Sequence, residues 1–125
     1  MSKTILIAED DRAISQMLQL LLEQEGYRVE TQADGHMVAQ MREPFPDLLL
    51  LDIRMSGTDG RAICRHLKDQ AATRHVPIIL ISAAITTTRE QAREAGADDF
   101  LEKPFAIEEV LSLVARYAAH TEPSG

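Results

Sequence analysis

Four consecutive leucines, Leu48-Leu49-Leu50-Leu51, run directly into an acid, Asp52. The run is too short to be a helix. It also leaves no polar position for a water-facing side. Successive side chains of a strand point to opposite faces, so an unbroken apolar run needs cover on both. That is the mark of a central strand in a parallel sheet. Ile5-Leu6-Ile7-Ala8 and Ile78-Ile79-Leu80-Ile81 repeat the pattern. Tyr27-Arg28-Val29-Glu30-Thr31 and Asp99-Phe100-Leu101-Glu102 are strand-like but mixed in polarity, as suits the two edges of the sheet.

Helical periodicity fills the gaps between these runs. Residues 12–25 set Ile14, Met17, Leu18, Leu21 and Leu22 on one stripe, and Gly26 ends the helix. Asp34 caps a short helix carrying Met37, Val38 and Met41, which stops before Pro44. Asp59 caps another, with Ile63 and Leu67 four apart. Thr88-Arg89-Glu90-Gln91 has capping-box form and Gly96 closes that helix. Ile107, Val110, Leu111, Val114 and Ala118 form the last stripe.

The order is βα repeated five times. It predicts a single doubly wound α/β domain: a parallel five-stranded sheet of order 2-1-3-4-5 with helices on both faces. The 125 residues suffice for one such domain. Its expected extent is residues 1–120, with 121–125 a flexible tail or linker stub. In these sheets a ligand sits beyond the carboxyl ends of the strands, where the strand order reverses.

Charge narrows the function. There are 13 Lys+Arg against 20 Asp+Glu, a net charge of -7. A surface that tracks nucleic-acid phosphates is basic, so direct nucleic-acid binding by this chain is not expected. Aromatic residues are 4% with no Trp, which argues against base stacking. A lone cysteine, Cys64, excludes an internal disulfide and a thiolate zinc site. The apolar runs are too short to span a bilayer, and the start shows no signal-peptide core. A soluble cytoplasmic protein is the expectation.

The predicted carboxyl ends carry Glu9-Asp10-Asp11, Asp52, Ser82 and Lys103-Pro104. Singly each has an ordinary explanation. Asp10 or Asp11 can cap a helix, Ser82 can sit in a turn, and Lys103 can be a solvated cation. Together they bring several acids, a hydroxyl and an ammonium to one rim. Two carboxylates about 4 Å apart repel by roughly 4 kcal/mol at an effective dielectric of 20, so the cluster needs a cation. Hard oxygen ligands suit Mg2+ (or Mn2+). Such a site can hold a nucleotide phosphate or accept a phosphoryl group on a carboxylate. Neither G-x-x-x-x-G-K-[ST] nor G-x-G-x-x-G is present. Acceptance needs a nucleophile, a screening metal and donors to the equatorial oxygens; Asp52, Mg2+, Lys103 and Ser82 supply them. A phosphatase of the D-x-D type is a third possibility, but Asp52-Ile53-Arg54 lacks the second acid.

At this point the sequence resembles the receiver domain of two-component response regulators, over residues 3 to about 119. Four blocks carry the resemblance: Ile5 to Asp11, Leu51 to Gly60, Ile81-Ser82-Ala83 and Ala95 to Phe105. It implies that Asp52 takes a phosphoryl group from a phosphohistidine on a sensor histidine kinase or histidine phosphotransfer protein. It implies that Glu9, Asp10, Asp52 and the backbone carbonyl of Arg54 hold the metal. Ser82 and Lys103 then contact the phosphoryl oxygens, Phe100 is the switch residue that packs inward on phosphorylation, and Lys103-Pro104 is a cis peptide bond. The readout surface is expected on the fourth helix, fifth strand and fifth helix. The domain assists only its own phosphorylation and dephosphorylation, as monomer or phosphorylation-dependent dimer, and signals by protein contact or phosphorelay. The alternative is the N-terminal receiver of a larger DNA-binding or enzymatic regulator. Three departures from the family pattern stand out: Ser56 where proline is frequent, Ala106 in place of a polar cap, and Phe100 in place of the commoner tyrosine.

A few residues lie outside these blocks. Ala13, Met17 and Leu20 edge the first helix's stripe, and Leu20 falls off its centre; this edge is either docking surface for the phosphodonor or part of a broad core. Arg54 and Ala84 are expected to flank the phosphoryl group. The four histidines, His36, His66, His75 and His120, lack metal-ligand spacing and are expected at the surface. Cys64, Met17, Met37, Met41 and Met55 are expected in core or loop packing.

Overall fold

The computed structural model describes residues 2–55, 57–83 and 89–120. Five strands form the sheet: β1 (Thr4–Ala8), β2 (Arg28–Gln32), β3 (Leu48–Asp52), β4 (Ile78–Ala83) and β5 (Asp99–Lys103). Five helices alternate with them: α1 (Arg12–Gln24), α2 (Gly35–Ala39), α3 (Gly60–Asp69), α4 (Arg89–Glu94) and α5 (Ile107–His120). Every pairing within the sheet is parallel, and the order is β2-β1-β3-β4-β5. This is the expected doubly wound arrangement. A two-residue antiparallel ladder, Arg54–Met55 with Thr58–Asp59, follows β3 and had no counterpart in the sequence pattern.

The leucine run shows why both faces need cover. Leu49 and Leu51 enter one core with Val38 of α2, Ile63, Cys64 and Leu67 of α3, and Ala92 of α4. Leu48 and Leu50 enter the other with Leu18 and Leu22 of α1 and Val110, Val114 and Ala118 of α5. Ile5 and Ile7, then Ile79 and Ile81, join the second core, while Ile78 and Leu80 join the first. The period-two alternation of a strand thus splits each apolar run between two layers. β2 is the most exposed strand, with no fully buried residue, as its polarity implied.

Local signals set the element ends. The carboxylate of Asp11 accepts from the N–H groups of Ala13 and Ile14, so Asp11 rather than Asp10 caps α1. Asp34 caps α2 and Asp59 caps α3 in the same way. Gly26 and Gly96 take φ of 94° just past α1 and α4, a conformation that favours glycine. Thr88 of the capping box lies outside the described residues, as do Ser56, Ala84 and 121–125. The Lys103–Pro104 peptide bond is cis, and so is Glu43–Pro44.

Three apolar residues depart from the expected packing. Met17 is 45% exposed and Met37 55%. Each sits one residue, about 100° of helix rotation, from the buried Leu18 or Val38, which turns it out of the core. Ile107, 52% exposed, keeps the spacing of the α5 stripe but is the helix's first residue. A helical side chain covers the turn before it, and here no turn precedes. Met55 and Cys64 are buried, and His36, His66 and His75 are exposed, as expected.

A tie far from the rim secures α3 to the sheet. Lys68 Nζ donates to Asp98 Oδ2 at 2.8 Å and to the carbonyls of Val76 and Arg74 at 2.8 and 3.2 Å. The same Asp98 oxygen accepts from the N–H of Ile78 at 2.8 Å. Replacing Lys68 with methionine leaves a carboxylate and two carbonyls short of a charged donor. Lys68→Met is expected to lower stability by about 2 kcal/mol in urea denaturation, with the chemistry of the rim unchanged. A loss near zero would show the tie to be a solvent-screened pair. Among the described residues no helix is long and apolar enough to cross a membrane.

Candidate functional site

The carboxyl ends of β1, β3, β4 and β5 meet on one rim. Glu9 follows β1 and is 4% exposed; Asp52 ends β3 and is 3% exposed. Lys103, the last residue of β5, reaches both. Its Nζ lies 2.7 Å from Asp52 Oδ2 and 3.3 Å from Glu9 Oε1. The two carboxylate oxygens therefore lie no more than about 6 Å apart. Ser82, on β4, is buried, and its hydroxyl donates to the Ala83 carbonyl at 3.2 Å. Asp52 Oδ1 accepts from the Arg54 N–H at 3.0 Å, so the ladder after β3 folds back onto the acid it follows. The Arg54 side chain is exposed and shares a groove with Thr58, Asp59 and Arg61.

Crowding of like charge shows in Glu9. Burial, then hydrogen bonding to Asp52 and the charge of Asp52, push its carboxyl up to about 7. The Asp11 N–H on Glu9 Oε2, at 3.1 Å, and the Lys103 ammonium oppose this and lose. For Lys103, burial alone would lower the pKa, but the hydrogen bond and charge of Asp52, then Glu9, hold it above its ordinary value. One ammonium thus serves two buried acids and does not satisfy both.

The fit to a hard divalent ion follows from this shortfall. Two buried carboxylates crowd one rim with less positive charge than they need. Asp10 follows Glu9 but is exposed. Among the described residues no three His, Cys, Asp or Glu side chains gather as a ready metal cage. A water-rich ion such as Mg2+, which takes one or two carboxylates and keeps its waters, suits this donor set better than a fully protein-enclosed one.

The ties of Asp99 beside the rim had no sequence signal. Asp99 Oδ1 accepts from Arg89 Nη1 and the Phe100 N–H, at 3.0 and 2.8 Å, and its Oδ2 accepts from the Tyr117 hydroxyl at 2.8 Å. One carboxylate thereby joins α4, β5 and α5. Phe100 next to it is 4% exposed, packed in the α2–α3–α4 core. An apolar groove of about 510 Å3 opens beside Lys103, lined by Ile14, Met17, Ala83, Pro104 and Phe105.

Comparison with known proteins agrees with this geometry. The family model for the response regulator receiver domain matches residues 5–115. The phosphate regulon transcriptional regulatory protein PhoB of Escherichia coli (strain K12) is 39% identical over 121 residues, 95% of this chain and 52% of PhoB. The response regulator PleD of Caulobacter vibrioides is 42% identical over 123 residues, 97% of this chain and 26% of PleD. The chain thus spans from about a quarter to about half of these relatives' lengths. Among solved structures, the receiver domain of sensor histidine kinase PA1611 from Pseudomonas aeruginosa PAO1 superposes with a TM-score of 0.84 at 31% identity. It covers 95% of this chain and 99% of that one, and it carries a magnesium ion coordinated in its active site cleft. With a matching model over most of its length and the acid-lined rim on the expected sheet, this chain belongs to the response regulator receiver domain family.

Proposed function

We propose that the chain is a phosphoacceptor module in which Asp52 takes a phosphoryl group from a phosphohistidine. The observation that carries the proposal is the buried Asp52 carboxylate held at 2.7 Å by Lys103, beside a Glu9 whose charge is unsatisfied. A carboxylate oxygen of Asp52 attacks phosphorus and the phosphorus–nitrogen bond of the donor breaks. The electron pair leaves with the imidazole, which takes up a proton. Glu9, Asp10, Asp52 and the Arg54 carbonyl would hold Mg2+, in part through the waters the ion keeps, as the magnesium in the PA1611 receiver's cleft supports. Bound there, the ion supplies positive charge between the acceptor and the incoming phosphoryl oxygens. Lys103 then passes from neutralising two carboxylates to holding a phosphoryl oxygen, and the Ser82 hydroxyl turns from the Ala83 carbonyl to another.

That exchange of partners is the switch. Lys103 and Ser82 sit at the ends of β5 and β4, so moving them biases Phe100 and the α4–β5–α5 face. Only a difference in phosphoryl contacts between the two arrangements shifts their populations. A nearly complete shift needs about 5.5 kcal/mol of such preference. The domain changes its own state and turns over no further substrate. The partner set is a histidine kinase or phosphotransfer protein and a downstream protein.

The test uses the intact chain with magnesium and acetyl phosphate. Intact-mass measurement is expected to show a single phosphoryl adduct, labile to hydroxylamine and mapping to Asp52. An unmodified protein, or an adduct elsewhere, overturns the proposal.

The donor's protein surface is expected against the apolar groove beside Lys103. Met17 lines that groove, and Leu20, 61% exposed, follows three residues on along α1. A protein donor must rest on surface flanking the rim, whereas acetyl phosphate needs none. Leu20→Arg should therefore slow phosphotransfer from the cognate kinase at least ten-fold. It should leave acetyl phosphate labelling and the unfolding midpoint unchanged. Equal transfer from the kinase would remove α1 from the docking surface.

A further inference from the structure

Gly60, the first residue of α3, lies hard against the end of β3. A Cβ at position 60 would strike the carbonyl oxygen of Asp52. It would stand 2.7 Å from the Ile53 Cα and 3.0 Å from the Asp52 carbonyl carbon. All three are backbone atoms, which cannot swing aside as a side-chain tip can. Gly60 is not among the residues with positive φ, so closeness rather than conformation requires glycine here. Its N–H also donates to the Ile53 carbonyl at 2.7 Å.

Ile53 is therefore gripped from both sides. Its N–H donates to the Ile81 carbonyl of β4 at 2.9 Å, and its carbonyl accepts from Gly60. The next N–H, that of Arg54, donates to Asp52 Oδ1. Farther along, Thr58 is pressed by a second glycine: a Cβ on Gly35 would strike Thr58 Oγ1 and stand 3.0 Å from Ile63 Cδ1. Thr58 Oγ1 is buried without a hydrogen-bond partner, so packing and not hydrogen bonding holds it there. The stretch from Asp52 to α3 is thus clamped at its start by Gly60 and near its end by Gly35.

From this contact we infer that Gly60 is a positioning residue for phosphoryl acceptance: by seating the Asp52–Ile53 backbone on α3 it fixes the Asp52 carboxylate and the Arg54 carbonyl at one spacing. The inference rests on the phosphoacceptor proposal and deepens it. Magnesium demands near-octahedral geometry at short distances, so its affinity reads the spacing of its ligands directly. Displacements on the order of 1 Å in a site of this kind cost about a hundred-fold in rate.

The experiment measures magnesium affinity by calorimetry, and acetyl phosphate labelling, in wild type, Gly60→Ala and Thr73→Val. Thr73 Oγ1 bonds the Leu67 carbonyl at 2.6 Å and serves as a lesion at the other end of the same helix. At a temperature where all three are folded, Gly60→Ala is expected to raise the magnesium Kd at least ten-fold and to slow labelling. Thr73→Val should stay within two-fold of wild type in both. A Gly60→Ala protein that is folded and binds magnesium like wild type overturns the inference. So does an equal loss in Thr73→Val. Should Gly60→Ala not fold, an amide-to-ester replacement at Gly60 deletes the N–H without adding a Cβ. It is expected to weaken magnesium binding at least three-fold, and unchanged binding overturns the inference. Wild type that neither binds magnesium nor labels would instead overturn the phosphoacceptor proposal itself.

Discussion

Asp52→Asn is expected to abolish the acetyl phosphate adduct completely and, at the same time, to make the metal-free protein more stable. Loss of labelling follows from the chemistry, because the amide has no anionic oxygen to attack phosphorus. The stability gain follows from the geometry. Glu9 and Asp52 are both buried, and both contact one ammonium. At no more than about 6 Å and an effective dielectric of 20, two such charges repel by about 3 kcal/mol or more. The amide removes that repulsion but has a single carbonyl oxygen, which can replace Oδ1 facing the Arg54 N–H or Oδ2 facing Lys103 and not both. A gain of about 1–2 kcal/mol above pH 7 is expected after the weakened Lys103 pair is offset against it. Intact mass and urea denaturation check the two halves separately. A labelled Asp52→Asn protein means another nucleophile. An unlabelled but destabilised one means that Lys103 already outweighs the repulsion, and that the site needs no further cation to be at ease.

What the sequence could and could not foretell about this site has a physical basis. The strands were legible because burial on two faces leaves a continuous apolar run, and Leu48–Leu51 shares itself between two cores. The rim was legible because a parallel sheet sends every carboxyl end the same way, so Glu9, Asp52, Ser82 and Lys103 follow from topology once the strands are placed. Pairings between distant charges left no such trace. Lys68 and Asp98 are thirty residues apart and each resembles an ordinary surface charge, yet they meet at 2.8 Å. Asp99 likewise resembles an edge-strand acid until Arg89 and Tyr117 converge on it. Gly60 was hidden for another reason. Asp59-Gly60 has the form of a capped helix start, and nothing in the chain's order shows that α3 begins within contact of Asp52. Helix faces were legible only in outline: the stripe of α1 was drawn too wide and took in Met17, which lies a residue off the buried line through Leu18 and Leu22.

The second large effect is a pH dependence that magnesium should cancel. In the folded protein Glu9 titrates at about 7, against 4.5 for the free side chain. Between those values the native state holds a proton that the unfolded state has released. Stability of the metal-free protein therefore falls as pH rises from about 4.5 to about 7, by up to about 3 kcal/mol, and levels off above. The groups facing Glu9 set this sign. Burial and Asp52 favour the neutral carboxyl, while Lys103 and the Asp11 N–H favour the charged one and are outweighed. Asp59 slopes the other way but acts lower: against the opposing effect of burial, Arg61 holds it below its ordinary range. Within the window from pH 5 to 7.5, comparison with Glu9→Gln isolates Glu9. Urea denaturation across that window is expected to show the decline in wild type and a flat line in Glu9→Gln. Magnesium binds the ionised carboxylates, so at a hundred times its Kd it restores about 2.7 kcal/mol at pH 7.5 and little at pH 5. If Glu9→Gln keeps the slope, the titrating group is another. If magnesium stabilises wild type equally at both pH values, the ion binds away from Glu9 and Asp52, and the acid-lined rim loses its assigned cation.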